Sequence, residues 1–208
     1  MNPGSQRRGS LFVIAAPSGA GKTSLVKAVL ARDPSLRVSI SHTTRKQRPS
    51  EVPGRDYHFT TVDEFKRLRD AGEFLEHAQV FDNFYGTGRA QVEALRDAGH
   101  NVILEIDWQG AQQVRKAQPD CTTIFILPPS RRELEVRLRN RKTDSDEVIA
   151  RRLRDSMADM SHYAEFDRVV VNDNFEAAVA QLLEILRGGS GYGSGRPELG
   201  PLVAELLA

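Results

Sequence analysis

A chain of 208 residues, 39% of them hydrophobic, can bury one substantial core and carry small appended segments. Its 29 basic and 28 acidic residues leave a net charge of +1, which excludes a generic nucleic-acid or membrane-surface binder and makes any positive charge a local matter. The single cysteine, Cys121, excludes an intrachain disulfide, and no apolar run approaches membrane-spanning length, so the expectation is a reducing, cytoplasmic location.

Residues 1–9 are polar and are expected to be disordered. The pair Arg7-Arg8 followed by LFVIAA resembles a short export signal, but the apolar run is too short, and it leads directly into a more informative stretch. From Ala16 to Thr23 the chain reads APSGAGKT, the phosphate-binding pattern G-x-x-x-x-G-K-[ST] with Ala16 in place of the first glycine. An apolar strand (Leu11 to Ile14) precedes it, and a helix with apolar Leu25, Val26, Val29 and Leu30 follows. Gly19 and Gly21 let successive backbone N–H groups form an anion nest, and the helix starting near Lys22 adds its positive end. Lys22 supplies a mobile cation and Thr23 a hydroxyl suited to magnesium. That combination points to a nucleoside triphosphate site. The bland reading is a Gly-rich turn that merely joins strand to helix. Ser18 is no nucleophile elbow, because its loop lacks G-x-S-x-G.

Asp33-Pro34 breaks the first helix, and Leu36 to Ser41 alternates like a short strand. The stretch SHTTRKQRPSEVPGRDYHF follows, with Arg45, Lys46, Arg48 and Arg55 among turn residues. It reads equally as a solvated loop or as a second phosphate site built on paired arginines. Thr61-x-x-Glu64 is a capping box for a helix to about Ala71, closed by Gly72. Phe74 to Phe84 mixes apolar and polar residues, and Tyr85-Gly86-Thr87-Gly88 reads as a turn. A helix from about Ala90 to Ala98 stops at Gly99, and NVILEID, ending at Asp107, reads as a buried strand that delivers carboxylates to a nucleotide site. Gln109 to Lys116 is helical, Thr122 to Leu127 a strand, and Ser130-x-x-Glu133 caps a helix running into the basic stretch Arg137 to Lys142. A helix to about Met160, a strand from Arg168 to Val171 and a helix from Phe175 to Leu186 complete the order. Strands alternating with helices predict an α/β fold with a mainly parallel sheet. GGSGYGSGRPELG has linker composition, and the terminal PLVAELLA can form a short helix. Cys121 reads as a core thiol, and the five histidines have no metal-ligand spacing.

Taken together, APSGAGKT, the stretch from Ser41 to Phe59, FLEHAQVFDNFYGT, ILEIDWQGA, the arginine-rich segment from Arg137 to Arg152 and VVVND closely resemble guanylate kinase. The resemblance spans residues 11 to about 187, and TTR-x-x-R followed by G-x-x-Y-x-F is far more specific than the phosphate loop alone. It implies a three-layer P-loop NTPase fold over residues 10–187, with a core of 10–40, 89–136 and 153–187. A nucleoside-monophosphate-binding insertion would occupy 41–88 and a lid 137–152, with a flexible tail at 188–208. It further implies transfer of phosphate from ATP to GMP, and to dGMP, with magnesium. Carried over by position, Arg45, Arg48, Tyr57 and Tyr85 hold the GMP phosphate, while Ser41, Glu76, Thr87 and Asp107 contact guanine. Residues Ala16, Pro17, Ser18, Gly19, Ala20, Gly21, Lys22, Thr23 and Ser24 cradle ATP, and Asn172 positions its adenine. Lys22, Arg45, Arg141 and Arg152 are the expected catalytic cations; Thr23, and Glu105 through water, are expected at magnesium. Ala16 departs from the glycine pattern, and Lys142 stands where many members have glycine.

These roles make chemical sense. Guanine presents N1–H and N2–H donors that carboxylates accept, and a transferring phosphoryl group needs cations aimed at it rather than covalent help. Two other readings remain: an interaction module of the same family without catalysis, and a P-loop kinase acting on another phosphorylated acceptor. An intact Lys22-Thr23 pair and the lid arginines argue against the first. Glu76 and Asp107, which would have no purine edge to read, argue against the second.

Overall fold

The computed structural model describes residues 7–80, 82–140, 146–189 and 199–208. It divides into two compact units, Met1–Val13 with Ser35–Cys121, and Ile14–Pro34 with Thr122–Ala208. The first strand, β1 (Leu11–Ala15), contributes residues to both and is buried along its whole length, as a central parallel strand requires. It belongs to a five-stranded sheet of order β2-β7-β1-β8-β9, the members being β2 (Leu36–Val38), β7 (Asn101–Glu105), β8 (Thr122–Leu127) and β9 (Arg168–Val171).

In the first unit, β2 and β7 pair in parallel with Leu36 opposite Asn101 and Val38 opposite Ile103. A second, four-stranded sheet of order β4-β3-β6-β5 joins β3 (His42–Thr43), β4 (His58–Phe59), β5 (Phe74–Val80) and β6 (Asn83–Gly88). Here β3 and β4 are parallel, whereas β6 is antiparallel to both β3 and β5. The predicted turn at Tyr85-Gly86-Thr87-Gly88 is therefore strand. The ladder of β5 and β6 ends instead with Val80 opposite Asn83. Those glycines do not supply left-handed backbone: a Cβ on Gly86 would meet Phe65 and Phe74 at 3.1 Å, so Gly86 is there for close packing. Three helices complete the unit: α2 (Val62–Asp70), α3 (Arg89–Asp97) and α4 (Trp108–Ala117). The predicted cap at Thr61 accepts a hydrogen bond from the Glu64 N–H, and Gly72 takes φ 72 just past the helix end.

The expected disorder of residues 1–9 does not reach its last member. The Gly9 N–H donates to the Arg96 carbonyl at 2.8 Å, and the buried Arg96 guanidinium donates back to the Gly9 carbonyl, to Gln118 and to Asp120. A Cβ on Gly9 would fall 1.7 Å from the His100 carbonyl oxygen, so only glycine fits. Arg96 thus fastens the entry to β1.

The second unit pairs β8 with β9 in parallel, Ile124 opposite Arg168 through Leu127 opposite Val171, and adds α1 (Lys22–Arg32), α5 (Arg131–Arg139), α6 (Asp146–Met160), α7 (Phe175–Leu186) and α8 (Leu199–Leu207). Ser130 and Asn174 cap α5 and α7 through their side-chain oxygens. α1 packs on α7, with Arg32–Glu176 at 2.7 Å and Arg187–Asp33 at 3.0 Å across their exposed rims. The expectation of a flexible segment throughout 188–208 needs correction at its far end. α8 packs against α6 and buries Leu199, Val203 and Leu206, apolar side chains at helical spacing. Residues 190–198 lie outside the described ones, as do Arg141 and Lys142. Cys121 is a buried free thiol, and no helix among the described residues is long and apolar enough to cross a membrane.

Candidate active site

The phosphate loop belongs wholly to the second unit. Buried β1 leads into Ala16, Pro17 and Ser18; the chain then turns at Gly19 (φ 92) and Gly21 (φ 96) and starts α1 at Lys22. Two left-handed residues on either side of Ala20 are what a loop wrapping its N–H groups around an anion needs. The first turn of α1 holds no acidic residue, so nothing on the helix itself neutralises its positive end. Thr23 and Ser24 are exposed there and Lys22 is half-buried. Leu134 and Leu138 of α5 close on Gly19, where an added Cβ would meet them at 3.0–3.1 Å. The Ser156 hydroxyl of α6 donates to the Ser18 carbonyl at 3.3 Å. Arg152 lies on the same helix, half-buried, whereas Arg141 is outside the described residues.

Asn172 follows β9 and is 5% exposed. Its Nδ2 donates to the Ala20 carbonyl at 2.8 Å, its N–H to Leu127, and its carbonyl accepts from Arg137 at 3.1 Å. The sequence reading assigned this residue to the adenine; here the amide nitrogen is engaged with the phosphate loop. Arg137, which sequence reasoning left without a role, is held by Glu133 at 2.8 Å, and its second terminal nitrogen is buried with no partner among the described residues.

The residues assigned to GMP all fall in the first unit. Glu76 on β5 is 3% exposed and accepts a 2.5 Å hydrogen bond from the Thr87 hydroxyl on β6, its partner across the antiparallel ladder. A Cβ on Gly110 would lie 2.6 Å from Glu76 Oε2, so the first turn of α4 approaches the carboxylate as only glycine allows. Asp107 caps that helix, accepting the Gly110 N–H at 2.8 Å. One oxygen of Asp107 is thus spent on structure. Ser41 precedes β3, half-buried, and its carbonyl accepts the His58 N–H at 2.9 Å. Glu105 ends β7, half-buried.

In the same unit, the Arg45 guanidinium lies 5.3 Å over the ring of Tyr57, which meets Tyr85 edge-on at 6.1 Å. Burial holds the Tyr57 hydroxyl above its usual pKa, helped by Tyr85 and Glu105, so it is a neutral donor. Arg48 is exposed, with its backbone N–H donating to Glu51 at 2.8 Å. Glu51 also accepts from Arg45 Nη2 at 2.7 Å, and both side chains are largely buried. Burial works to raise the Glu51 pKa, but the Arg45 hydrogen bond, the Arg48 N–H and both positive charges outweigh it and hold the carboxyl below its ordinary value. Arg45 moves the other way: burial opposes its charge, and Glu51 with Tyr85 more than restores it. Glu51 was missed from sequence because an acid in a basic loop reads as charge balance. Its spacing after Arg48 in RPSE was the available signal.

The guanylate kinase family model matches residues 8–188. The chain is 53% identical to the guanylate kinase of Methylococcus capsulatus over 201 residues, covering 96% of this chain and 98% of that one. It is 52% identical to the guanylate kinase of Pseudomonas fluorescens strain Pf0-1 over 200 residues, covering 96% and 97%. Among solved structures, the guanylate kinase of Anaplasma phagocytophilum superposes with a TM-score of 0.72 at 35% identity, covering 88% of this chain and 87% of that one. With its glycine-turned phosphate loop, its buried Glu76–Thr87 pair and relatives matched over nearly their whole length, the chain belongs to the guanylate kinase family.

Proposed function

We infer that this protein transfers the γ-phosphate of ATP to GMP, giving ADP and GDP, and that dGMP is an alternative acceptor. The observation that carries the reading is the buried carboxylate of Glu76. A charge so removed from water is costly unless it is partnered, and Thr87 provides one donor. Guanine N1–H and N2–H are donors that such a carboxylate accepts, with Asp107 and Ser41 completing the base contacts. Arg45, Arg48, Tyr57 and Tyr85 offer charged and neutral donors to the GMP phosphate, a set suited to a dianion.

On the donor side, residues 16–24 hold the ATP phosphates through backbone N–H groups and the helix end. Lys22 follows the transferring group, and Arg152 and Arg141 add positive charge to it from the lid segment 137–152. Attack by an already ionised phosphate oxygen needs no strong general base, so the chain's task is to bind, orient and exclude water. Thr23 and Glu105 each offer an oxygen donor of the kind magnesium takes, and the ion, when bound, would supply positive charge to the phosphates. No protein-only cluster of three acidic, His or Cys ligands occurs among the described residues, which suits an ion held largely by phosphates and water. The partners are two small nucleotides rather than nucleic acid or membrane, and the setting is the cytoplasm.

A coupled assay across GMP, dGMP, AMP, CMP and UMP tests this reading. Turnover confined to the two guanine nucleotides is expected. No turnover with any would favour an interaction module, and turnover without purine preference a different acceptor.

A further inference from the structure

We propose that Asn172 is a positioning residue for the phosphate loop, fixing the Ala20 carbonyl so that the loop is formed before ATP arrives. This rests on the reading that the loop takes the ATP phosphates. The peptide at Ala20 is flanked by Gly19 and Gly21, both left-handed, and glycine imposes little conformational preference of its own. A loop of that kind needs an external restraint to hold one shape. Ala20 is fully buried, and its carbonyl must find a donor. Asn172 Nδ2 provides one at 2.8 Å.

Asn172 is itself held through its backbone at two points, one of them braced in turn. Its N–H donates to Leu127 at 2.8 Å, its carbonyl accepts from Arg137, and Arg137 is fixed by Glu133. The amide therefore joins the ends of β8 and β9, through α5, to the loop. Gly21 completes the arrangement: a Cβ there would lie 2.4 Å from Asn172 Nδ2, so the side chain can reach Ala20 only past a glycine. Gly21 thus serves close approach as well as positive φ.

Loop positioning and adenine reading make opposite predictions for a ligand without a base. Asn172→Asp keeps the shape but sets an oxygen against the Ala20 carbonyl; Asn172→Ala removes the contact. Both variants should lower kcat/KM for ATP roughly 10- to 100-fold, about the effect of one buried hydrogen bond. Inorganic triphosphate, measured by calorimetry with magnesium, should weaken by a similar factor in both, while GMP affinity stays at the wild-type value. Loss with ATP but unchanged triphosphate binding would make Asn172 a base contact and overturn the proposal. Wild-type kinetics in both variants would overturn it too. So would joint loss of GMP binding and cooperative melting, which would make Asn172 a residue of the fold. Failure of the wild-type protein to phosphorylate GMP would instead count against the activity.

Discussion

Glu76 makes contacts of the fold at the same carboxylate that is proposed to read the base. Its carboxylate takes the Thr87 hydroxyl on one oxygen, and the backbone of α4 comes close to the other at Gly110. Glu76→Gln preserves the shape but removes the charge, and its NH₂ can turn toward an acceptor. The expected loss in kcat/KM for GMP is roughly 10- to 100-fold, the size of one charged hydrogen bond, with AMP turnover flat. Steady-state kinetics on both nucleotides checks this; equal losses would mean that Glu76 supports structure and does not read the base. Glu51 acts one step back. It holds Arg45 by the side chain and Arg48 by the backbone, so Glu51→Gln should leave both arginines in place but less ordered. KM for GMP is then expected to rise roughly 3- to 10-fold with kcat little changed, matching a neutral hydrogen bond replacing a charged one. A fall in kcat at unchanged KM would argue instead for a role in transfer. The resemblance to known sequences supplied Glu76 and Thr87 residue by residue. It did not supply Glu51, whose partners are visible only once the loop has a shape.

At the level of elements, legibility followed length and chemistry. Thr122–Leu127 and Phe175–Leu186 were read from sequence at their observed boundaries, because each is an apolar run or stripe bounded by polar turns or a cap. The two-residue strands β3 and β4 were not, since two residues carry no period, and β6 was mistaken for a turn because its glycines face aromatic rings rather than bend the chain. The missed pair has a consequence for pH. His42 on β3 and His58 on β4 lie with ring centroids 4.8 Å apart, and His42 Nδ1 is buried without a hydrogen-bond partner among the described residues. Burial first, and the nearby His58 second, lower the His42 pKa from 6.5. The unfolded chain therefore takes this proton before the folded one does. Stability from a neutral His42 is fully present above pH 6.5 and is lost as pH falls through the lower, folded value. Urea midpoints measured at decreasing pH should drop more steeply for the wild type than for His42→Phe. Parallel profiles would show that the pair is not a source of acid sensitivity.

Across the whole molecule, the residues assigned to the two nucleotides separate cleanly. Every described GMP candidate, with Glu105, lies in the first unit, and the phosphate loop, Asn172 and Arg152 lie in the second. That division was readable in outline, because the motifs for the two nucleotides occupy different stretches of sequence. The helix α8 was readable as a short apolar helix from its composition, but nothing local indicated what it would cover. It lies beyond the matched residues 8–188 and packs on α6, the helix that carries Arg152 and whose Ser156 holds the Ser18 carbonyl. Undocking α8 should therefore register in the ATP half before the GMP half. Leu206 is fully buried, and Leu206→Asp would place a charge where an apolar side chain contributes about 1.5–3 kcal/mol. If α8 detaches rather than burying the charge, the ordering entropy it regains offsets part of that loss. The melting temperature is expected to fall by roughly 3–8 °C for a chain of this size. KM for ATP should rise a few-fold, since α6 would lose the surface that steadies it, and GMP affinity should not change. Hydrogen exchange reports the same event locally, with faster exchange along α6 and no change in β5 and β6. If exchange quickens equally in both units, or if ATP and GMP weaken together, α8 supports the fold at large and has no particular tie to the ATP half.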